Sequence, residues 1–439
     1  MIDKAKYIQK INDRNITTGV IGLGYVGLPL AVEMAKSGYL TIGFDIQLSK
    51  VEMVNNGKNY IGDVVDSELK DVVSSEKLSA TTDYSLIENV DFIVICVPTP
   101  LDKYHQPDIS YVRSSCELIG KHMKKGSVVV LESTTYPGTT EELMLPILEE
   151  TSKLKCGEGF YLGFSPERVD PGNLTYKTIN TSKVVGGVGK DATEIMAALY
   201  RQVLEGDIVE VSSPKVAEME KILENTYRNI NIALANEMAI ICDKMDIDVW
   251  EVIEAAKTKP YGFSAFYPGP GVGGHCIPVD PFYLTWKAKE FDYHTRLIET
   301  AAEINVAMPQ YVVDRAATIL NGRGLALKGS KVLILGVAYK QDIDDFRESP
   351  ALGVIKNLEK AYANVDFYDP YILEYDFRDM KKTGLPSISS EVVGKYDIVI
   401  ITTRHTTVDY DMVQKSAKII FDTKNAMQNI KNRENIVLL

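Results

Sequence analysis

Two doubly wound, parallel α/β domains joined by a central helical region with one long helix are what this chain predicts, and three observations carry that reading. Near the N-terminus a strand, a glycine turn, a helix and a second strand follow one another between Thr18 and Ile46. From Pro214 to Ile241 apolar residues recur at helical spacing without a break. Beyond Lys331 the order of the first segment returns in weaker form. Alternating strands and helices imply a parallel sheet covered on both faces. A chain of 439 residues exceeds one ordinary core. The expected division is 1–211, 212–308 and 309–439.

In order, Val20-Ile21 opens the first strand, Leu28 to Lys36 reads as helix, and Leu40 to Phe44 is the second strand. Further strands are expected at Phe92–Val97, Val128–Leu131 and Tyr161–Phe164. Near Ser212 the rhythm changes. Ser213 suits an N-cap and Pro214 the first helical position. Val216, Met219, Leu223, Tyr227, Ile230, Leu234, Met238 and Ile241 then mark an amphipathic helix, a spine between the two halves. A Gly- and Pro-rich loop runs from Tyr267 to Pro281. In the last third, Lys331 to Gly336 echoes Gly19 to Gly24. The strand before Asp369 echoes the one before Asp45, and Asp397 to Ile401 echoes Asp91 to Ile95.

The net charge of −12 argues against a general nucleic-acid binder, whose footprint is basic. The five cysteines, Cys96, Cys116, Cys156, Cys242 and Cys276, form no CxxC pair, so neither a disulfide framework nor a metal site is expected. No apolar run has the length of a membrane span or a signal peptide, and a cytoplasmic location is the expectation.

Five constellations can carry chemistry. Gly22-Leu-Gly24-Tyr25-Val26-Gly27 follows a strand and opens a helix. Gly22 permits the tight turn, Gly24 lets backbone approach a pyrophosphate, and Gly27 allows close helix packing. The helix N-terminus favours phosphate. Asp45, at the end of the next strand, suits a ribose diol and repels a 2′-phosphate, so NAD is expected over NADP. Pro98 and Thr99, leaving a strand, suit cofactor ribose or phosphate, or else merely stop the strand. The Ser133-to-Gly138 turn has the same status, with Thr134 able to hold water or orient substrate. On the long helix, Lys221 and Asn225 share a face with Ala217 and Arg228; such a pair supports an oxyanion, the plain alternative being a solvated helix face. Gly271-Val-Gly273-Gly-His275-Cys276-Ile-Pro-Val-Asp280 offers a nucleophilic thiol in a tight backbone, with Asp280 to position water. A small buried hydrophobe is the other reading of Cys276, and His275 is a weak candidate base. Glu167, followed by Arg168, is either a base that activates water or half of a surface ion pair.

In their order these segments resemble the UDP-glucose/GDP-mannose dehydrogenase family, from Gly22 to about Asn425. The matching segments are GLGYVG, VPTP, the Ser-Thr turn, SPE, the Lys221-to-Asn225 helix, GVGGHCIPVD and AYKQDIDDFRESP. The resemblance implies an N-terminal NAD-binding Rossmann domain, a central dimerising region and a Rossmann-like domain holding the nucleotide sugar. It implies a homodimer or larger homo-oligomer, with no nucleic-acid or membrane partner. It also implies two NAD per turnover, with Cys276 as nucleophile, Lys221 and Asn225 at the oxyanions, Asp280 and Glu167 at the hydrolytic water, and Thr134 at substrate or water. Gly22, Gly24, Tyr25, Val26, Gly27, Asp45, Pro98, Thr99 and Arg347 fall to the cofactor. Glu167, Arg168, Lys221, Asn225, Gly273 and Lys340 fall to the substrate.

The chain departs from the UDP-glucose pattern after Glu167, where a second glutamate is absent and Asp170 is only a weak substitute. That version is similar to the branch acting on UDP-N-acetylhexosamines, UDP-N-acetylglucosamine above all; the same chemistry on UDP-N-acetylgalactosamine, UDP-N-acetylmannosamine, UDP-glucose or GDP-mannose is the alternative. The arginine often found upstream of the cysteine has no counterpart, Pro260 standing there beside Lys259. A two-electron hydroxyacid dehydrogenase and a catalytically silent nucleotide-sugar sensor are the rival readings; the third domain and Cys276 oppose the first, and Cys276, Lys221 and Asp280 together oppose the second.

Overall fold

The computed structural model describes residues 3–102, 104–169, 173, 175–274 and 276–439. Asp170 and His275 therefore lie outside the described residues. The chain divides into two compact units, Met1–Glu224 with Phe282–Asp292, and Asn225–Pro281 with Tyr293–Leu439.

In the first unit the strands are β1 Thr17–Ile21, β2 Leu40–Phe44, β3 Leu78–Thr81, β4 Phe92–Ile95, β5 Val128–Leu131, β6 Tyr161–Phe164, β7 Lys183–Gly187 and β8 Ile208–Glu210. Among the described residues they form one sheet in the order β3-β2-β1-β4-β5-β6-β7-β8. Neighbours run parallel except β6 and β7. Phe92 to Ile95 and Val128 to Leu131 are buried throughout. Continuous apolar runs of this length are what a strand covered on both faces requires. The order reverses direction beside β1, and ligands bind open α/β sheets at such switch points, outside the carboxyl ends of the strands.

The second unit repeats the plan on a smaller scale. Its strands β9 Lys331–Leu335, β10 Asn364–Tyr368, β13 Ile398–Ile401, β14 Ile420–Asp422 and β15 Ile436–Leu438 form a parallel sheet in the order β10-β9-β13-β14-β15. A separate hairpin, β11 Glu374–Phe377 with β12 Met380–Thr383, follows β10. The helix Arg296–Asn321 leads into this sheet.

The long helix spans Pro214–Lys244, starting where Ser213 caps it through a 3.4 Å bond from Val216 N–H to its hydroxyl. Most of the expected apolar row faces outward, Ile230 and Met238 being half-buried, while the inward face mixes small apolar residues such as Ala217, Ala233 and Ala239 with polar ones. Val216, Met219, Leu223, Tyr227, Leu234 and Ile241 are exposed, with Leu223 at 62%. Glu218, Lys221, Asn225, Asn229 and Asn236 are buried. The solvated-face alternative for Lys221 and Asn225 is thus overturned, although Arg228, expected beside them, does lie in solvent. Buried polar groups need partners, and the helix supplies a ladder of them. Asn225 donates to Asp280, Asn229 to the Ile277 carbonyl at 3.1 Å, and Asn236 to Asn305 at 2.9 Å.

Candidate active site

The glycine turn sits at the carboxyl end of β1, and each glycine meets a different demand. Gly22 has φ +89°, and a Cβ there would stand 2.4 Å from the Cys96 carbonyl oxygen. At Gly27 a Cβ would fall 1.8 Å from the Gly22 oxygen, so the helix Gly27–Lys36 can begin only with hydrogen at that position. Gly24 differs: a Cβ there would meet nothing within 4 Å. Its freedom is not required by the protein, which is the signature expected where a ligand approaches backbone. No side chain caps the helix at Val26, leaving its N-terminal dipole for an anion, and Tyr25 beside it is exposed.

Asp45 takes the Leu23 N–H on one oxygen at 3.0 Å and the Gln47 N–H on the other at 2.9 Å, with Lys50 at 3.7 Å. A carboxylate has about four acceptor positions, so capacity is left for a ribose diol. The residues fit a bound NAD. In the second unit Asp369 does the same bracing: it accepts from Val337, Ala338, Tyr371 and Ile372 N–H. There His405 Nε2 adds a fifth donor at 3.0 Å. Burial pushes the Asp369 carboxyl up, but His405 and the backbone N–H groups outweigh it and hold the group below the ordinary carboxylate range.

The loops leaving β4 and β5 are laced together. Thr99 donates its hydroxyl to the Thr134 carbonyl at 2.7 Å, and Ser133 donates to Val97 O at 2.7 Å. The Tyr283 hydroxyl donates to the Thr99 carbonyl. Glu218 of the long helix accepts from Gly138 N–H and from the N–H and hydroxyl of Thr140, which pins the Ser-Thr turn. Pro98 is exposed, and Thr99 and Thr134 are half-buried.

Glu167, after β6, accepts the N–H groups of Arg168 and Val169 on one oxygen, at 2.8 and 2.9 Å. Arg168 turns to the long helix instead of solvent: it pairs with Glu224, lies 3.5 Å from Glu220 and donates to the Ser182 carbonyl. Burial and the neighbouring Glu224 push the Glu220 carboxyl up to about 7. Lys221 is only 7% exposed, yet among the described residues none forms a hydrogen bond or ion pair with its ammonium. A cation so placed is available to developing negative charge.

The cysteine loop belongs to the second unit. Gly271 and Gly274 have φ of +133° and +92°. A Cβ at Gly273 would stand 2.7 Å from Tyr339 Cβ and 2.9 Å from Pro350 Cδ. The glycines therefore let the loop lie against Tyr339 and Pro350; the tight backbone expected around the thiol packs protein on protein. Cys276 is exposed, which removes the buried-hydrophobe reading. Its carbonyl accepts the N–H groups of Val279 and Asp280, at 3.0 and 2.8 Å, closing the turn that opens the helix Asp280–Ala288. Asp280 is 2% exposed and Asn225 4%, and Asn225 Nδ2 donates to Asp280 Oδ2 at 2.5 Å. With Asn229 on Ile277 O, the long helix grips the cysteine turn at two points.

Lys340 and Arg347 lie on the segment after β9. Arg347 forks onto Asp345 at 2.9 and 2.7 Å. Asp342 N–H donates to His405 Nδ1 at 3.0 Å, and Asp342 accepts from Thr406, so the segment is tied to the end of β13.

Sequence reasoning did not single out Glu218, Asn229, Asn236, Asn305, Lys183, Glu132 or His405. Asn225, Asn229 and Asn236 share one helical face by spacing alone, and that pattern was the available signal. The others are joined only through tertiary contacts.

A dinucleotide-type glycine turn, a second α/β unit of related build and a gripped thiol define an oxidoreductase that pairs a nicotinamide cofactor with a nucleotide-bearing substrate. Models of the UDP-glucose/GDP-mannose dehydrogenase family match its NAD binding domain at residues 16–204, its central domain at 215–307 and its UDP binding domain at 333–429. The chain belongs to that family, whose members are NAD-dependent nucleotide-sugar dehydrogenases. It is 38% identical to protein CapL of Staphylococcus aureus over 95% of this chain and 97% of that one. It is 36% identical to the UDP-N-acetyl-D-glucosamine 6-dehydrogenase of Pseudomonas aeruginosa, over 95% and 99%. The solved structure of a UDP-D-ManNAc dehydrogenase from Pyrococcus horikoshii superposes with a TM-score of 0.87 at 34% identity, over 96% and 98% of the two chains. Among the described residues no helix is long and apolar enough to cross a membrane.

Proposed function

We propose that this chain oxidises the C6 alcohol of a UDP-N-acetylhexosamine, UDP-N-acetylglucosamine before UDP-N-acetylmannosamine, to the uronic acid. The observation that carries the reading is the exposed Cys276 on a turn gripped by Asn225 and Asn229. The relatives support the substrate class, since dehydrogenases of both UDP-N-acetyl-D-glucosamine and UDP-N-acetyl-D-mannosamine are among them.

Bound NAD supplies the hydride acceptor, twice per turnover. The C6 alcohol loses hydride from carbon and its hydroxyl proton to solvent, giving the aldehyde. The Cys276 thiolate adds to that aldehyde, and the thiohemiacetal so formed loses its hydroxyl proton to solvent and a hydride from C6, leaving a thioester. Water attacks the thioester carbon, the C–S bond breaks, and the thiolate returns. Lys221 carries the charge of the alkoxide and of the tetrahedral oxyanions, with Asn225 holding the turn. Glu167 takes the proton of the attacking water, Asp280 orders that water, and Thr134 touches water or sugar. Gly22, Gly24, Tyr25, Val26, Gly27, Asp45, Pro98, Thr99 and Arg347 are assigned to NAD. Arg168, Gly273 and Lys340 are assigned to the nucleotide sugar. The outward apolar row of the long helix supports a homodimer or larger homo-oligomer, since a row of this kind marks a contact surface.

The test is the ratio of NADH formed to sugar nucleotide consumed, measured across UDP- and GDP-sugars. About two per sugar, with an N-acetylhexosamine preferred, is the expected result; about one would sink the thioester route. Cys276→Ser should stop acid formation and leave NAD binding intact.

A further inference from the structure

A charged cluster buried in the first unit touches Glu167 and has no part in the chemistry assigned so far. Glu132 follows β5 and is 1% exposed; Lys183 opens β7 and is 4% exposed. Lys183 Nζ lies 3.0 Å from Glu132 Oε2, 3.4 Å from the Pro166 carbonyl oxygen and 3.6 Å from Glu167 Oε2. Tyr200, on the helix Lys190–Val203, donates its hydroxyl to Glu132 Oε1 at 2.5 Å, and the Lys183 ammonium stands 5.2 Å from the Tyr200 ring centre.

Such a pair is a poor device for stability. Desolvating two charges offsets most of their attraction, and apolar side chains of similar volume do as well. The geometry suggests another use. One Glu167 oxygen is already fixed by the Arg168 and Val169 N–H groups. The other is the one that faces the Lys183 ammonium. Burial pulls Lys183 down, but the carboxylates of Glu132 and Glu167 outweigh it and keep the ammonium above the ordinary lysine range. Cys96, after β4, lies in the same field as a buried thiol whose pKa burial pushes up, so it adds no charge. Among the described residues Arg168 is a further charged neighbour, and its fork is turned onto Glu224.

We propose that Lys183, anchored by Glu132 and Tyr200, is a positioning residue that aims the Glu167 carboxylate and balances its charge during release of the acid. The inference rests on the hydrolytic role given to Glu167 above. Three variants of the full chain test it against a Glu167→Gln reference. Lys183→Met with Glu132→Gln removes both charges and keeps an acceptor for Tyr200. Lys183→Arg keeps the charge. Tyr200→Phe loosens the anchor with little change of volume. The readouts are the NADH burst against acid release by rapid quench, the acyl adduct on Cys276 by intact-mass measurement, and the pH profile of acid release.

In the double variant, acid release should fall roughly tenfold or more, with the NADH burst retained, adduct accumulating and the acidic limb moved to higher pH. Lys183→Arg should keep most of the native rate, and Tyr200→Phe should shift in the same direction by less. A double variant with an intact burst, native acid release and a native acidic limb overturns the proposal. Should the double variant not fold, native behaviour of Tyr200→Phe overturns it instead. Adduct in Glu167→Gln but none in the double variant sinks this inference alone. Native acid release by Glu167→Gln sinks the role of Glu167 and this inference with it.

Discussion

Truncating Asn225 to alanine removes one of the two grips on the cysteine turn, and the structure sets the size of the effect. The lost bond runs from a buried amide to a carboxylate only 2% exposed. A hydrogen bond to a charged group contributes about 1.5–3 kcal/mol, and leaving the acceptor without it forfeits that amount. Taking about 2 kcal/mol, and tenfold for each 1.4 kcal/mol, kcat should fall by roughly 30-fold if the loss is expressed at the transition state. The turn keeps its own closure, Asp280 N–H to Cys276 O at 2.8 Å, and its tie to Asn229, so the fold should survive. Urea unfolding followed by steady-state kinetics separates the two consequences. A lower unfolding midpoint with unchanged kcat would mean that Asn225 serves the fold alone, and no change in either would refute the grip. Asn225→Asp sharpens the case. Two carboxylates 2.5 Å apart cannot both ionise, so the folded variant retains a proton that the unfolded chain releases. Its deficit should be largest above neutral pH and shrink as the pH falls toward 5.

Gly24→Ala should fold normally and lose NAD affinity, whereas Gly27→Ala, with its Cβ 1.8 Å from the Gly22 oxygen, should lower the melting temperature; calorimetry with and without NAD tells the two apart. Asp45→Ala should weaken NAD relative to NADP in side-by-side affinities, and an unmoved preference would contradict the ribose assignment. Lys221→Ala should cut kcat far more than it raises KM, and equal losses in both would make Lys221 a binding residue only. Glu220, pushed from 4.5 up to about 7 in the fold, withdraws stability as the pH rises through that window. Glu220→Gln should therefore gain on the native protein above about pH 7 and match it near pH 4.5, as read from urea midpoints across pH.

The first sheet and its glycine turn were legible because local chemistry settles them: Phe92 to Ile95 must be a buried strand, and Gly22 and Gly27 leave no other turn. The echo in the last third was likewise readable from Lys331 to Gly336. The long helix was legible in extent and not in orientation. Apolar period alone says which residues share a face, and it cannot say whether that face meets the chain's own core or the outside. The polar face turned inward because Asn225, Asn229 and Asn236 each found a fixed partner there, and those partners stand at least 48 residues away in sequence. Lys183 with Glu132 stayed hidden for the same reason, since nothing local couples residues 51 apart. Cys276 was singled out for its glycines; the thiol proved exposed, and the glycines serve packing against Tyr339 and Pro350.

Asp45 and Asp369 are one joint made twice. Each braces the turn after the first strand of its sheet, and they differ in what is left over. Asp369 is saturated by five donors, so it has no lone pair to offer outside the protein. In the second unit the aspartate is wholly taken up by architecture. If Asp45 holds the ribose as proposed, position 45 answers to a ligand and to the fold, and position 369 to the fold alone. The segment carrying Lys340 and Arg347, to which the proposed chemistry gives ligand contacts, follows β9. That segment hangs from the other nitrogen of the same imidazole that closes off Asp369. One imidazole thus serves two loops at once, closing off Asp369 through one nitrogen and anchoring the segment after β9 through the other.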